Sequence, residues 1–282
     1  MNLAIIPGAS VREIRSSAGR DYRIFVWQPS PQAVTGALPV LYLLDGNATF
    51  PIAAAAAAAQ SRRPEITGVQ PMIVVGIGYP AIDWLDADRR TFDYTPVLAE
   101  GALPRRPDDR PWPATGGADA FLDFLRDELQ PAIEHEFDVD PARNAIFGHS
   151  FGGLFVLHAL FSGRARFASY IAASPSIWFG GDSLMAEMER FINAPCDDGL
   201  RKLLVTVGSL EQGTDEALAP TGHDAWLKRN RMVDNARDLV ARLSVMDPAS
   251  LRVSFNQFDD ENHASVVPAA ISRALRFAME PK

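Results

Sequence analysis

Residues 145–153 read Ala-Ile-Phe-Gly-His-Ser-Phe-Gly-Gly and lead directly into Leu154-Phe155-Val156-Leu157-His158-Ala159-Leu160-Phe161. A short apolar strand, a Gly-x-Ser-x-Gly pentapeptide and an apolar helix in immediate succession leave few folds open, because the turn must reverse the chain within about one residue while the helix packs back on the strand. So sharp a turn puts Ser150 in a strained backbone conformation, with its hydroxyl exposed above the edge of a sheet. Gly148 and Gly152 are expected to remove the side chains that would collide there. Chance alone yields such a pentapeptide in roughly one chain in ten of this length, so the flanking strand and helix carry the weight.

The remaining pattern agrees with an α/β protein. Val11–Arg15 and Tyr22–Trp27 alternate and are separated by Ser16-Ser17-Ala18-Gly19, which predicts an antiparallel N-terminal hairpin. Pro39–Leu44 and Met72–Gly78 are continuously apolar, as central parallel strands covered on both faces must be. Further strands are expected at Ala145–Phe147, Ile171–Ala173, Leu203–Val207 and Leu251–Phe258. Helices are expected from Ala53 onward, over Phe121–Ile133 with a bend at Pro131, over Gly152–Phe161, around Trp226–Leu243 and over Val266–Met279. Strands alternating with helices predict a mostly parallel sheet with helices on both faces. No linker or repeat divides the chain, so residues 1–282 are read as one domain, with residues 81–115, rich in proline and charge, as a long loop over the active-site edge.

Composition narrows the function. The formal net charge of −8 and the lack of a basic run argue against a nucleic-acid partner. Cys196 is the only cysteine, which excludes an internal disulfide and a cysteine-rich metal site and predicts a buried thiol. No segment is apolar for the ~20 residues a membrane span needs, and Met1–Pro7 has no basic-then-apolar leader pattern. The expectation is a cytoplasmic enzyme of small molecules without cofactor or metal.

A serine hydroxyl needs a neighbouring base, and histidine suits that task near neutrality. Of the five histidines, His263 follows the last predicted strand, where the order Ser, acid, His places the base. His223, in a Pro/Gly-bounded loop, is the runner-up. The acid must lie on a loop at the same sheet edge. Glu211, just after Leu203–Val207, fits, with Asp215, Asp259 and Asp260 as alternatives. The developing oxyanion needs two backbone N–H donors. Phe151 supplies one, and the loop Leu43-Leu44-Asp45-Gly46-Asn47 supplies the second through Asn47.

These residues resemble the esterase D-like esterase family of α/β-hydrolases, and within it the trilactone siderophore esterases that open ferric enterobactin or bacillibactin. The likeness runs over nearly the whole chain. It rests on Tyr42–Asn47, Arg90 with Asp93-Tyr94-Thr95-Pro96, Phe121–Leu125, Gly148–Gly153, Ser174-Pro175-Ser176-Ile177-Trp178, Gly208–Glu211 and Asn235-Ala236-Arg237. It implies an α/β-hydrolase fold, Ser150 as nucleophile, His263 as base, and the backbone of Asn47 and Phe151 as oxyanion site. Some siderophore esterases work with a Ser-His dyad, so Glu211 rests on the residue argument alone. Substrate contacts are expected from Arg90, Trp178 and Phe179, and a positive rim from Arg89, Arg90, Arg105, Arg106 and Arg110. Two further enzymatic readings are a general short-chain carboxylesterase and an acyltransferase. A catalytically silent binding module is the reading from another class, and it predicts a missing nucleophile or base.

Overall fold

The computed structural model describes residues 6–30, 36–98, 101, 103–106, 108–194, 199–213 and 222–280. Strands β1 (Ala9–Arg15) and β2 (Asp21–Trp27) form the expected antiparallel hairpin, closed where Gly19 N–H donates to Ser16 O at 2.8 Å. Strand β3 (Val40–Leu44) and strand β4 (Ile73–Gly78) are buried on both faces. With β5 (Ala145–His149), β6 (Ser169–Ala173), β7 (Arg201–Gly208) and β8 (Leu251–Phe258) they complete one sheet in the order β1-β2-β4-β3-β5-β6-β7-β8. From β4 to β8 every pairing is parallel. The C-terminal ends of these strands therefore share one edge.

Two cores flank the sheet. On one face lie α1 (Gly46–Gln60) and α10 (Val266–Met279). The alanine run is a packing device: Ala53, Ala54 and Ala57 are fully buried, and the start of α1 sits on bare backbone, where a Cβ on Gly46 would lie 2.7 Å from Gly76 C. The short α2 (Pro64–Thr67) follows α1. The other face is covered by α3 (Ala87–Tyr94), α4 (Ala118–Phe124), α6 (Phe151–Phe161), α7 (Ile177–Asn193) and α9 (Met232–Leu243).

Several expectations need correction. Residues 81–115 are not loop throughout, because α3 lies inside them. Asp86 caps that helix by accepting from Arg89 N–H at 3.0 Å, and its buried face carries Thr91 and Asp93, so a hydrophobic scan sees no period. The Phe121–Ile133 helix is not bent apart at Pro131: a π-turn over Leu125–Leu129 joins α4 to α5 (Gln130–Glu136) and makes room for a ring that cannot donate. Helix α1 starts seven residues before Ala53, across Pro51, with no side-chain cap. The Trp226–Leu243 helix is two, α8 (Gly222–Asn230) and α9, broken at Arg231 with φ 49°. Helix α7 has no counterpart in the expectations, since Gly180-Gly181 reads as a breaker and Gly181 is non-helical at φ 47°. Cys196 and Asp215 lie outside the described residues, as does the side chain of His223.

Candidate active site

Between β5 and α6, Ser150 has φ 61° and ψ −117°, a conformation a non-glycine residue keeps only when its surroundings impose it. Its N–H is held by Ala173 O at 3.0 Å. A Cβ on Gly148 would meet Gly152 O at 2.2 Å, and one on Gly153 would meet Ala173 O at 2.8 Å. On Gly152 the nearest neighbours are ordinary contacts to Leu44 at 3.5 Å. The steric requirement therefore falls on Gly148 and Gly153, not on Gly148 and Gly152 as the pentapeptide suggests.

His263, on the turn after β8, places Nδ1 2.5 Å from Glu211 Oε2. Glu211 follows β7 and is buried, and its other oxygen accepts from Ser174 Oγ at 2.6 Å and Gly208 N–H at 2.6 Å. Three hydrogen bonds thus hold the carboxylate and through it orient the imidazole. The Glu211 carboxylate is dry while the His263 side chain is 43 % exposed. Asp259 and Asp260 have no such bond to His263 among the described residues.

The other histidines have other surroundings. The His149 ring packs against that of His263 with centroids 4.5 Å apart. Burial, then the charges of His263 and Arg90, push its pKa well below the usual histidine value despite the nearby His263 backbone, so it stays neutral. His158 on α6 pairs its Nδ1 with Glu187 on α7 at 2.8 Å, and His135 is exposed on α5.

Asn47 and Phe151 occupy the first turns of α1 and α6, where backbone N–H groups have no intrahelical acceptor. Two helix N-termini thereby offer donors beside the elbow. The Asn47 side chain is locked, with Oδ1 accepting from Tyr79 N–H at 2.8 Å and Nδ2 donating to Tyr79 O at 3.1 Å. Preceding it, Asp45 stands at φ 54°.

Arg90 is not where a substrate contact is expected. Its guanidinium is bidentate to Asp45, both bonds 2.9 Å, and reaches His149 O at 3.4 Å. Burial works against its charge, but the Asp45 carboxylate outweighs that and raises its pKa above the ordinary arginine value. Arg90 braces Asp45, at the start of α1, against the elbow. Sequence pattern misses this, because Asp45 and Arg90 share no motif. The positive rim is likewise depleted: Arg89 lies over Tyr79 at 4.6 Å, Arg105 pairs with Asp109, and Arg106 and Arg110 pair with Asp108.

Beside Phe151 stands an aromatic wall. Trp178 is half-buried and packs edge-on to Trp226 with centroids 5.3 Å apart. Phe179 is buried beneath, 4.6 Å from the Phe151 ring, so it supports the wall rather than lining it. Trp112, unmarked by any sequence signal, lies 4.8 Å from Phe179 and 6.1 Å from Trp178, with the Arg106 guanidinium 5.0 Å from its ring.

Residues 16–247 match the family model described as "Putative esterase". The sequence is 39% identical to the ferri-bacillibactin esterase BesA of Bacillus subtilis, over 99% of this chain and 92% of that protein. It is 35% identical to the siderophore triacetylfusarinine C esterase of Aspergillus fumigatus, over 98% and 94%. Among solved structures, the BES protein from Bacillus cereus superposes with a TM-score of 0.85 at 36% identity, covering 100% of this chain and 99% of its own. The siderophore hydrolase EstB from Aspergillus nidulans does so at 0.83 and 31%, covering 99% and 98%.

Proposed function

Because the chain belongs to the putative esterase family and is an ester hydrolase of the α/β-hydrolase fold, we propose that Ser150, His263 and Glu211 cleave the ester bonds of a siderophore through an acyl-enzyme. Ser150 Oγ attacks the ester carbonyl as its proton passes to His263 Nε2. The N–H groups of Asn47 and Phe151 hold the oxyanion, and Glu211 keeps the Nδ1 proton in place and stabilises the imidazolium. His263 then protonates the departing alkoxide. Water, losing its proton to the same nitrogen, attacks the acyl carbon and releases the acid with Ser150 restored.

The observation that carries this reading is the Glu211–His263 bond at 2.5 Å on the edge where Ser150 is held in its strained turn. The similarity to named siderophore esterases supports the substrate class. Trp112, Trp178 and Trp226 favour a siderophore with planar aromatic donors, a ferric catecholate trilactone, since flat rings stack on indole faces. A cytoplasmic location belongs to the same reading and is tested by cell fractionation. No helix among the described residues is long and apolar enough to cross a membrane.

The experiment compares ring opening of a ferric catecholate trilactone with hydrolysis of p-nitrophenyl esters of several lengths, for the parent protein and Ser150→Ala. Trilactone opening that disappears in a folded Ser150→Ala protein is expected. Retained turnover in that variant overturns the nucleophile. Strong preference for short acyl chains without trilactone opening overturns the substrate and leaves a general carboxylesterase.

A further inference from the structure

After β6 the chain turns through Ser174-Pro175-Ser176 before α7 begins. Ser174 has φ 44°, with its N–H donating to Thr206 O at 2.7 Å and its hydroxyl to Glu211. Two residues on, Ser176 N–H donates to Ser150 O at 3.1 Å, and Ser176 Oγ lies 3.3 Å from Ser150 Oγ. Pro175 packs where only Gly153 permits it, since a Cβ there would stand 2.9 Å from Pro175 Cα. One tripeptide therefore touches the acid at one end and the nucleophile at the other.

Ser176 is 2 % exposed, and among the described residues its hydroxyl has Ser150 Oγ as its one hydrogen-bond partner. The direction of that bond follows from elimination. Were Ser150 the donor, its proton would point away from the base, and the Ser176 proton would be buried without an acceptor, which is costly. Donation from Ser176 satisfies the buried hydroxyl and leaves the Ser150 proton free for His263.

Resting on the Ser150–His263 reading above, we propose that Ser176 is a further catalytic residue, a donor aimed at the nucleophile's own oxygen rather than at the carbonyl oxygen. No proton leaves Ser176. When Ser150 gives its proton to His263, and again when the acyl-enzyme collapses and Ser150 departs as an alkoxide, negative charge builds on Oγ. A bond that is long at rest shortens and strengthens as its acceptor becomes anionic. The interaction is stronger in the transition state than in the ground state, which is the condition for raising kcat.

The test uses Ser176→Ala, Ser176→Val and Ser176→Thr, the last two nearly equal in shape, with Ser150→Ala as control. Measured are kcat and KM on p-nitrophenyl butyrate, the rate of covalent labelling by a fluorophosphonate, and the thermal midpoint. Labelling and kcat are expected to fall together by about tenfold to a hundredfold in the Ala and Val variants, with KM within about twofold and folding retained. Ser176→Thr, which returns the hydroxyl, is expected to recover most of the rate. Wild-type labelling in folded Ala or Val variants, or a Thr variant as slow as Val, overturns the proposal. Turnover surviving in Ser150→Ala instead overturns the underlying reading.

Discussion

Glu211 divides its oxygens between two tasks. Oε2 meets Nδ1 of His263, the proposed base, while Oε1 is tied to Ser174 Oγ and Gly208 N–H. Glu211→Gln should lower kcat by about a hundredfold to ten-thousandfold, because an amide presents the wrong group to the imidazole Nδ1–H. Ser174→Ala removes one support and leaves the other, so a loss of about threefold to tenfold in kcat at unchanged KM is expected, read from steady-state kinetics. His149 adds a pH effect. Its pKa is depressed in the folded state, so above about pH 6.5, the ordinary histidine value, both states are neutral and its contribution is complete. As pH falls, the unfolded chain takes up a proton that the buried ring refuses, and stability is lost. Urea unfolding at pH 7 and pH 5 should show a smaller acid loss for His149→Asn than for the parent, by up to about 2 kcal/mol. The candidates Ser150, Glu211 and His263 were legible because each lies on the turn after a strand readable in the sequence: Ser150 directly after β5, Glu211 three residues after β7 and His263 five residues after β8. Ser176, Trp112 and the Asp45–Arg90 brace were not, because each acts through a partner far away in sequence.

Among elements, the elbow separates what the pattern implies from what the packing demands. Gly152→Ala should keep at least about half of the parent activity, since its Cβ meets only ordinary contacts, whereas Gly153→Ala should lose fold or turnover against the Ala173 and Pro175 backbone. Soluble yield and esterase activity of the two variants check this. Strand β7 shows a second device. Lys202 is buried and donates to Phe277 O at 3.1 Å and Glu280 O at 2.6 Å, tying off the C-terminus of α10. Lys202→Met should reduce unfolding free energy by about 1–3 kcal/mol in urea without altering KM. Strands β3 and β4 were readable because buried parallel strands are continuously apolar, and β1 and β2 because they alternate. Helices α3 and α7 escaped because one buries polar residues and the other crosses a glycine pair.

For the whole molecule, the proposed anionic siderophore would meet a protein of formal net charge −8, so its capture cannot depend on long-range charge complementarity. The three arginines of residues 105–110 face two aspartates in the same segment, and Arg90 is committed to Asp45. Under the proposed function, recognition would rest on the indole faces more than on field. KM for a ferric catecholate trilactone should change by less than about threefold between 0.05 and 0.5 M sodium chloride. Topology explains why the alternation of strands and helices brings the candidate site residues to one edge. Asp45, Ser150, Ser174, Glu211 and His263 all follow C-terminal ends of parallel strands in one sheet, so any strand-ending motif falls on the same edge. The close seating of α1 on the backbone of β4 carries a last consequence. With Gly46 against Gly76 and no side-chain layer between them, the Asn47 N–H, the proposed oxyanion donor, is seated directly on the sheet. Heating should therefore erase hydrolysis of small aryl esters and the cooperative calorimetric transition at the same temperature, with no cooler range in which a native protein has already stopped working.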